Sequence, residues 1–210
     1  TTVVYLFMWL DTKNGPIVLE SPPDVLAIID DFWFHYVTDF GNAGPDRGKG
    51  GKYLLLPPGF DGEVPSGYHV ARSNTYGNWF VLRGFMIDGK TEPVVKNIKD
   101  HLKVYPLAEA DNPRPVQYYN VSNQYINTLH AQDITFFNEV NEVVQEEPNE
   151  AFDPEVLGLL ASIGIEKGKP FAPDARMARI LSDAAMVGTA AQRTIIFRNR
   201  NENVEIWPGS

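Results

Sequence analysis

Cysteine is absent from the 210 residues. Disulfides, zinc–thiolate centres and thiol nucleophiles are therefore excluded, and cysteine usage says nothing about compartment. No stretch of about 18 apolar residues occurs, so no segment reads as a helix crossing a bilayer. Histidine is scarce. His35, His69, His101 and His130 form neither H-x-H nor H-E-x-x-H, and no metal site is expected. The G-x-S-x-G nucleophile elbow, the dinucleotide fingerprint and the ordered phosphate loop are also missing, so no cofactor is expected. Positive charge is in the minority: 18 Lys and Arg against 27 Asp and Glu give a net charge of −9. That balance argues against nucleic acid or an anionic membrane as the main partner. A small anionic ligand stays compatible with it, because two arginines at one place outweigh a diffuse excess of carboxylates. The opening lacks a Met, a basic n-region and an apolar h-region. Thr1–Tyr5 and Ile206–Ser210 both read as interrupted text, which makes a fragment the expectation.

At 43% hydrophobic and 21% charged, the chain has ample material for a core. Residues 2–10 (TVVYLFMWL) form an apolar, β-branched and aromatic run, expected to be a strand covered on both faces. Ile17–Glu20 reads as its partner strand, stopped by Pro22-Pro23. Residues 32–38 (FWFHYVT) are apolar on both alternating faces and predict a central strand. The loop at 41–51 carries five glycines and two cations. It suggests either a phosphate cradle or a flexible inter-strand loop, and the missing helix after it favours the loop. Lys52–Leu56 reads as a strand, and Pro57–Gly67 is turn chemistry almost throughout. Tyr68–Met86 predicts a hairpin about an Asn74–Asn78 turn. Helical spacing begins after Thr91, with Val94, Val95, Ile98 and Leu102 on one face. Three further helices are expected over 133–146, over 154–163 (capped by Asp153 and stopped at Gly164), and after Pro173-Asp174. The last carries a stripe of Met177, Leu181, Ala184, Val187 or Gly188, Ala191 and Ile195.

Several phrases occur in an ordered set. L-x-P-P-G-F-x-G-x-V-P-x-G-Y spans Leu55–Tyr68, V-x-R-S follows at Val70–Ser73, W-x-V-L-R at Trp79–Arg83 and I-D-G at Ile87–Gly89. Ile163–Phe171 (IGIEKGKPF) precedes the long alanine-rich helix. Together they resemble the exported domain-of-unknown-function family 1254, commonly joined to family 1214, and the resemblance covers essentially the whole chain. It implies a jelly-roll-type β-sandwich, a helical segment and a second β domain. It also implies export to the periplasm or medium. The partner it implies is that C-terminal β domain, which would be nearly all missing here.

The fold expectation is therefore α+β: an antiparallel, jelly-roll-like β-sandwich over 1–105, a connector over 106–132, a helical segment over 133–198 and the start of a second β domain at 199–210. The candidate ligand-binding residues are Arg72, Arg83, Trp79 and Lys52, since cations beside a Trp in an apolar surface suit a carboxylate, phosphate or sulfate. An internal ion pair or a cation–π contact with Trp79 is the competing account. If Ser73 opposes Trp79 in the hairpin, His69 opposes Arg83; a one-residue slip brings Arg72 to that face. His35 and His69 are the candidate acid–base residues, with His35 also readable as a buried, hydrogen-bonded histidine. The acids at Glu146, Glu147 and Glu150 read as a solvated run. Three function classes remain: a module binding an anionic or polyol small molecule, a hydrolase of phosphate or related esters, and a structural or interaction module.

Overall fold

A computed structural model describes residues 3–197 of the chain. The chain divides into two compact units. The first runs to Ser122 and also includes Glu147–Ala151; the second comprises Asn123–Glu146 and the residues from Phe152. The segment expected to begin a second β domain, 199–210, lies outside the described residues.

The first unit holds eight strands: β1 (Val3–Asp11), β2 (Ile17–Ser21), β3 (Val25–Asp31), β4 (Tyr36–Gly41), β5 (Gly51–Leu56), β6 (His69–Arg72), β7 (Gly77–Phe85) and β8 (Lys103–Pro106). They form two four-stranded sheets, ordered β1-β7-β3-β4 and β6-β5-β2-β8. Every pairing is antiparallel except β5 with β6. The inward residues of both sheets make one core, including Leu10, Val25, Ile29, Phe40, Phe80 and Leu82 from the first sheet and Leu19, Tyr53, Leu55 and Ala71 from the second. Phe40 and Tyr53 touch across the gap with ring centroids 3.8 Å apart. This is a β-sandwich, as the sequence predicts.

A helix, α1 (Glu92–His101), completes that core through Val94 and Ile98. It rests on Gly84, where a Cβ would stand 3.2 Å from both side chains. The other face of the second sheet buries Val18, Leu54, Leu56 and Tyr105 beneath Phe60, Val64, Tyr68 and Leu107. The proline- and glycine-rich segment after β5 is thus a cover for this sheet. Being covered on both faces explains why Leu54, Leu55 and Leu56 are apolar in succession.

Four expectations need correction. β1 is an edge strand, and only its inward side is covered: Tyr5, Phe7 and Trp9 are 50%, 55% and 59% exposed. Ile17–Glu20 pairs with β5 and β8 in the opposite sheet and does not pair with β1. The predicted hairpin is absent, because β6 and β7 belong to different sheets and the 73–76 turn crosses between them. Residues 32–38 are not a central strand. A turn precedes the edge strand β4, held by the buried carboxylate of Asp31, which accepts from the N–H groups of Trp33 (2.8 Å) and His35 (2.9 Å).

The glycine-rich loop at 41–51 is an inter-strand loop organised by Asp46. This buried carboxylate accepts from Gly41 N (2.7 Å), Gly50 N (3.1 Å) and the Tyr53 hydroxyl (2.5 Å). Burial and the Asp46 charge push the Tyr53 hydroxyl well above the usual phenol range.

The second unit contains α2 (Thr135–Glu146), α3 (Pro154–Ser162) and α4 (Ala175–Phe197). Asp153 caps α3 by accepting from Glu155 N, and Gly164 takes φ +90° beyond its end, as predicted. Lys167 donates to the carbonyls of Val144 (3.2 Å) and Gln145 (2.9 Å), placing a cation at the C-terminus of α2. On α4 the buried positions are Leu181, Ala185 and Thr189, four residues apart. Ala184, Val187, Ala191 and Ile195 of the expected stripe are exposed. No helix among the described residues is long and apolar enough to cross a membrane.

Candidate functional site

Polar side chains are rarely buried without partners, and at one end of the sandwich five of them cluster, Thr12, Ser73, Thr75, Asn78 and Glu147, with Asn78 Oδ1 left without a hydrogen-bond partner. The turn between β6 and β7 is locked first by its own residues. Ser73 Oγ accepts from Thr75 N (3.1 Å), Thr75 Oγ1 donates to Gly77 O (2.7 Å), and Asn78 Nδ2 donates to Tyr76 O (2.9 Å). It is then tied to its neighbours: Thr12 N donates to Tyr76 O (2.9 Å), and Phe32 N donates to Thr75 Oγ1 (3.0 Å). Glu147, 3% exposed, closes the arrangement by accepting from Tyr76 N at 2.6 Å and Gly77 N at 2.8 Å. A Cβ on Gly77 would lie 2.9 Å from the Phe32 ring and 3.1 Å from Glu147 Oε1, so this contact requires glycine. Glu147 belongs to no solvated run; it is a buried carboxylate satisfied by backbone.

Beside this turn opens a cleft of about 450 Å³. Pro57, Pro58 and Phe60 form one wall, and Asn74 and Tyr76 come from the turn. Pro148 follows Glu147 directly, and Glu150 arrives on the 3₁₀ turn Asn149–Ala151 just after it. Arg72, at the end of β6, supplies the cation. Its Nη1 donates to Phe60 O at 3.2 Å, which holds the guanidinium at the rim. The trans-turn hydrogen bonds therefore fix both sides of the opening: Ser73–Tyr76 on one, and residues 147–151 on the other.

The residues singled out from the sequence are scattered over the unit. Only Arg72 lines this cleft. Lys52 projects from the same face of its sheet as Arg72, four residues back along the neighbouring strand, and pairs with Glu20 at 3.7 Å. Arg83 lies on the outer face of the other sheet, its guanidinium 5.3 Å above the Tyr5 ring. Trp79 stands on that outer face too, between Trp9 and Asp30, with the Phe34 ring against it at 5.2 Å. His69 pairs with Tyr53 in register, its ring 4.9 Å from the phenol ring, so it does not oppose Arg83. His35 is exposed. Its Nδ1 sits 3.1 Å from Asp31 Oδ2, and the side chain is 75% accessible while Asp31 is buried. Among the described residues no group of three or more His, Asp or Glu side chains could hold a metal ion.

The sequence reading missed Glu147, Asn74, Tyr76 and Glu150 as site residues. The S-x-T spacing of Ser73 and Thr75 ahead of Gly77 was an available signal for a locked turn. Glu147 had none, because its partners are backbone amides, which look alike in any sequence.

The family model described as "Protein of unknown function (DUF1254)" matches residues 1–106. Among solved structures, the crystal structure of the VPA0106 protein from Vibrio parahaemolyticus is similar, with a TM-score of 0.65 and 22% sequence identity. The alignment covers 91% of this chain and 48% of that one, so the chain spans about half the length of that protein. At this identity the likeness is one of fold. No curated protein matches the chain.

Proposed function

The chain belongs to the DUF1254 family, and on that premise we propose that its sandwich unit binds a small anionic molecule bearing hydroxyl groups in the Arg72 cleft. The supporting observation is Arg72 itself, a guanidinium at the rim of a cleft whose other walls are mostly apolar. A guanidinium carries five N–H donors, and the bond to Phe60 O accounts for one. Its planar fork suits a carboxylate or phosphate. Asn74 and the Glu150 carboxylate offer partners for hydroxyls, while Pro57, Pro58 and Phe60 pack against a carbon skeleton. The acid at Glu150 disfavours a multiply charged anion, which points to a monoanionic hydroxy acid of sugar-acid type. The volume lies within the usual range for such sites.

The test is thermal unfolding and calorimetry of the chain with gluconate, glucuronate, inorganic phosphate, sulfate and neutral glucose. Saturation by a hydroxy acid at about 100 times its Kd adds about 2.7 kcal/mol, a rise in Tm on the order of 10 °C for a unit of this size. Arg72→Ala abolishes the shift, whereas Arg83→Ala keeps it. No response across the panel, or an equal response in Arg72→Ala, overturns the reading.

An ester hydrolase has one observation in its favour. Asp31 holds His35 Nδ1 and leaves Nε2 in solvent, the arrangement by which a carboxylate orients a general base. Against it, no histidine lines the cleft. Phosphate release from phosphate esters that is lost in His35→Ala and kept in His69→Ala would replace the binding reading with this one.

A further inference from the structure

We infer that the outer face of the β1-β7-β3-β4 sheet is a two-fold interface with a second copy of this chain. Residues paired in register share a face, so the pairings lay out that surface in rows. Tyr5, Arg83 and Leu26 form one row, and Phe7, Val81, Ile28 and Asp39 the next. Trp9, Trp79, Asp30 and Tyr36 form the third. Phe34 extends the last row against Trp79, and Phe85 lies beyond the first. Tyr5, Phe7, Trp9, Phe34, Tyr36 and Phe85 are each between 43% and 64% exposed. At roughly 100 Å² apiece they present on the order of 600 Å² of largely apolar surface. With Leu26, Ile28, Val81 and the Arg83 stem between them, the face approaches the roughly 800 Å² per partner of a standard interface.

Its composition is close to that of an interface core: aromatic side chains, one arginine, no lysine or glutamate, and two aspartates, Asp30 and Asp39, towards the β4 side. The edge beside it is open as well. Natural sheets blunt their edges with short strands, bulges, prolines or lysines. β4 has a register shift, β6 has four residues, and β8 has four with Lys103 and Pro106. β1 has nine residues in unbroken register with β7 and contains no lysine, proline or glycine.

The occupant is chosen by charge and symmetry. Take a two-fold axis in the plane of the face, perpendicular to the strands, through the Phe7–Val81–Ile28 row. It sets Phe7, Val81 and Ile28 of each copy on themselves, apolar on apolar, places the two Asp39 carboxylates opposite one another on the edge strand β4, and exchanges the two outer rows. Tyr5 then meets Trp9 of the other copy. Arg83, the face's cation, comes within one strand spacing, about 4.8 Å laterally, of the other copy's Asp30. Asp30 needs such a partner, since its charged neighbours here are Asp31 and Asp39, both carboxylates. Both Arg83–Asp30 contacts form together, as an isologous interface requires.

Sedimentation velocity and light scattering on the 210-residue chain test this. The expected result is a dimer at tens of micromolar that dissociates on dilution. Phe7→Glu, on the axis, yields a monomer. So does Arg83→Glu alone or Asp30→Arg alone, each raising the dimer Kd at least tenfold. The double variant Arg83→Glu/Asp30→Arg restores the dimer, because the swapped charges again oppose one another. Phe7 is exposed, so a thermal melt of Phe7→Glu is expected to match the parent monomer, separating lost assembly from lost folding. A wild-type chain that is monomeric throughout, a dimer that survives Phe7→Glu, or a double variant no better than its singles overturns the inference.

Discussion

Glu147 shows how much one side chain decides. Its carboxylate accepts two charge-assisted hydrogen bonds from consecutive amides while nearly excluded from water. Glu147→Gln keeps the shape but turns one oxygen into a donor facing an N–H. Charged hydrogen bonds contribute about 1.5–3 kcal/mol each, and a buried donor left unmet adds its own cost. The variant is expected to lose about 2–4 kcal/mol in urea unfolding. Glu150→Gln, three residues on and exposed, is expected to leave stability within about 0.5 kcal/mol. If the two variants behave alike, Glu147 does not hold the turn. At this scale the sequence was partly legible. Arg72 could be picked out as a cation set among apolar neighbours, and it does line the cleft. Arg83 and Trp79 satisfied the same description, yet they lie on an outer sheet face. Side-chain type says that a cation meets aromatic neighbours; only the strand order says on which surface.

Strand existence was more legible than strand partnership. β1, β2 and β5 were readable from their apolar runs. β3 was not: it starts straight after Pro22-Pro23 and has no alternation to see, because Leu26 and Ile28 are apolar on the outward side as well. Phe32–Tyr36 imitated a buried strand for the same compositional reason, although the Asp31 carboxylate turns the chain there. Pairing rests on which residues meet across the core, which no local pattern encodes. Glu20 illustrates a cross-strand dependence of this kind. It sits on β2 between Lys52 of β5 and Lys103 and Tyr105 of β8, with Lys103 at 3.0 Å and the Tyr105 hydroxyl at 2.8 Å. Burial alone would raise its carboxyl, but the bonds from Tyr105 and Lys103 and the charges of Lys103 and Lys52 bring it below the usual range. A carboxyl depressed on folding contributes stability above its unfolded pKa of about 4.3, and that contribution is lost as pH falls through the lower folded value. Glu20→Gln is thus expected to be about 1 kcal/mol less stable than the parent at pH 7. The two are expected to converge as the medium is acidified through that lower folded value. A gap that persists in acid would show that the charge is not its source.

At the level of the whole molecule, the chain leaves its first unit at Ser122 and returns to it for Glu147–Ala151 before departing again. Besides the Glu147 bonds, the returning segment accepts a hydrogen bond at Ala151 O from Trp33 Nε1 at 2.8 Å. A fragment ending at Ser122 is expected to fold, because the shared core of both sheets is intact. Its unfolding free energy is expected to be about 3 kcal/mol below that of residues 1–151, since the Tyr76 and Gly77 amides and the Trp33 indole lose their acceptors. Equal stability of the two fragments in urea would show that the returning segment is merely adjacent. The family match over residues 1–106 follows the sandwich and stops short of that segment, as a pattern of strands would.

That return has a kinetic corollary for the cleft. Pro148 and Glu150 are delivered to its wall by a tether, residues 123–146, that is anchored to the sandwich at Ser122. While the tether is whole, the segment re-docks at an effective concentration of the order of millimolar whatever the dilution. A single protease cut within it would make docking bimolecular. The cleft of the nicked protein would then come apart as the sample is diluted, and its apparent ligand affinity would depend on protein concentration.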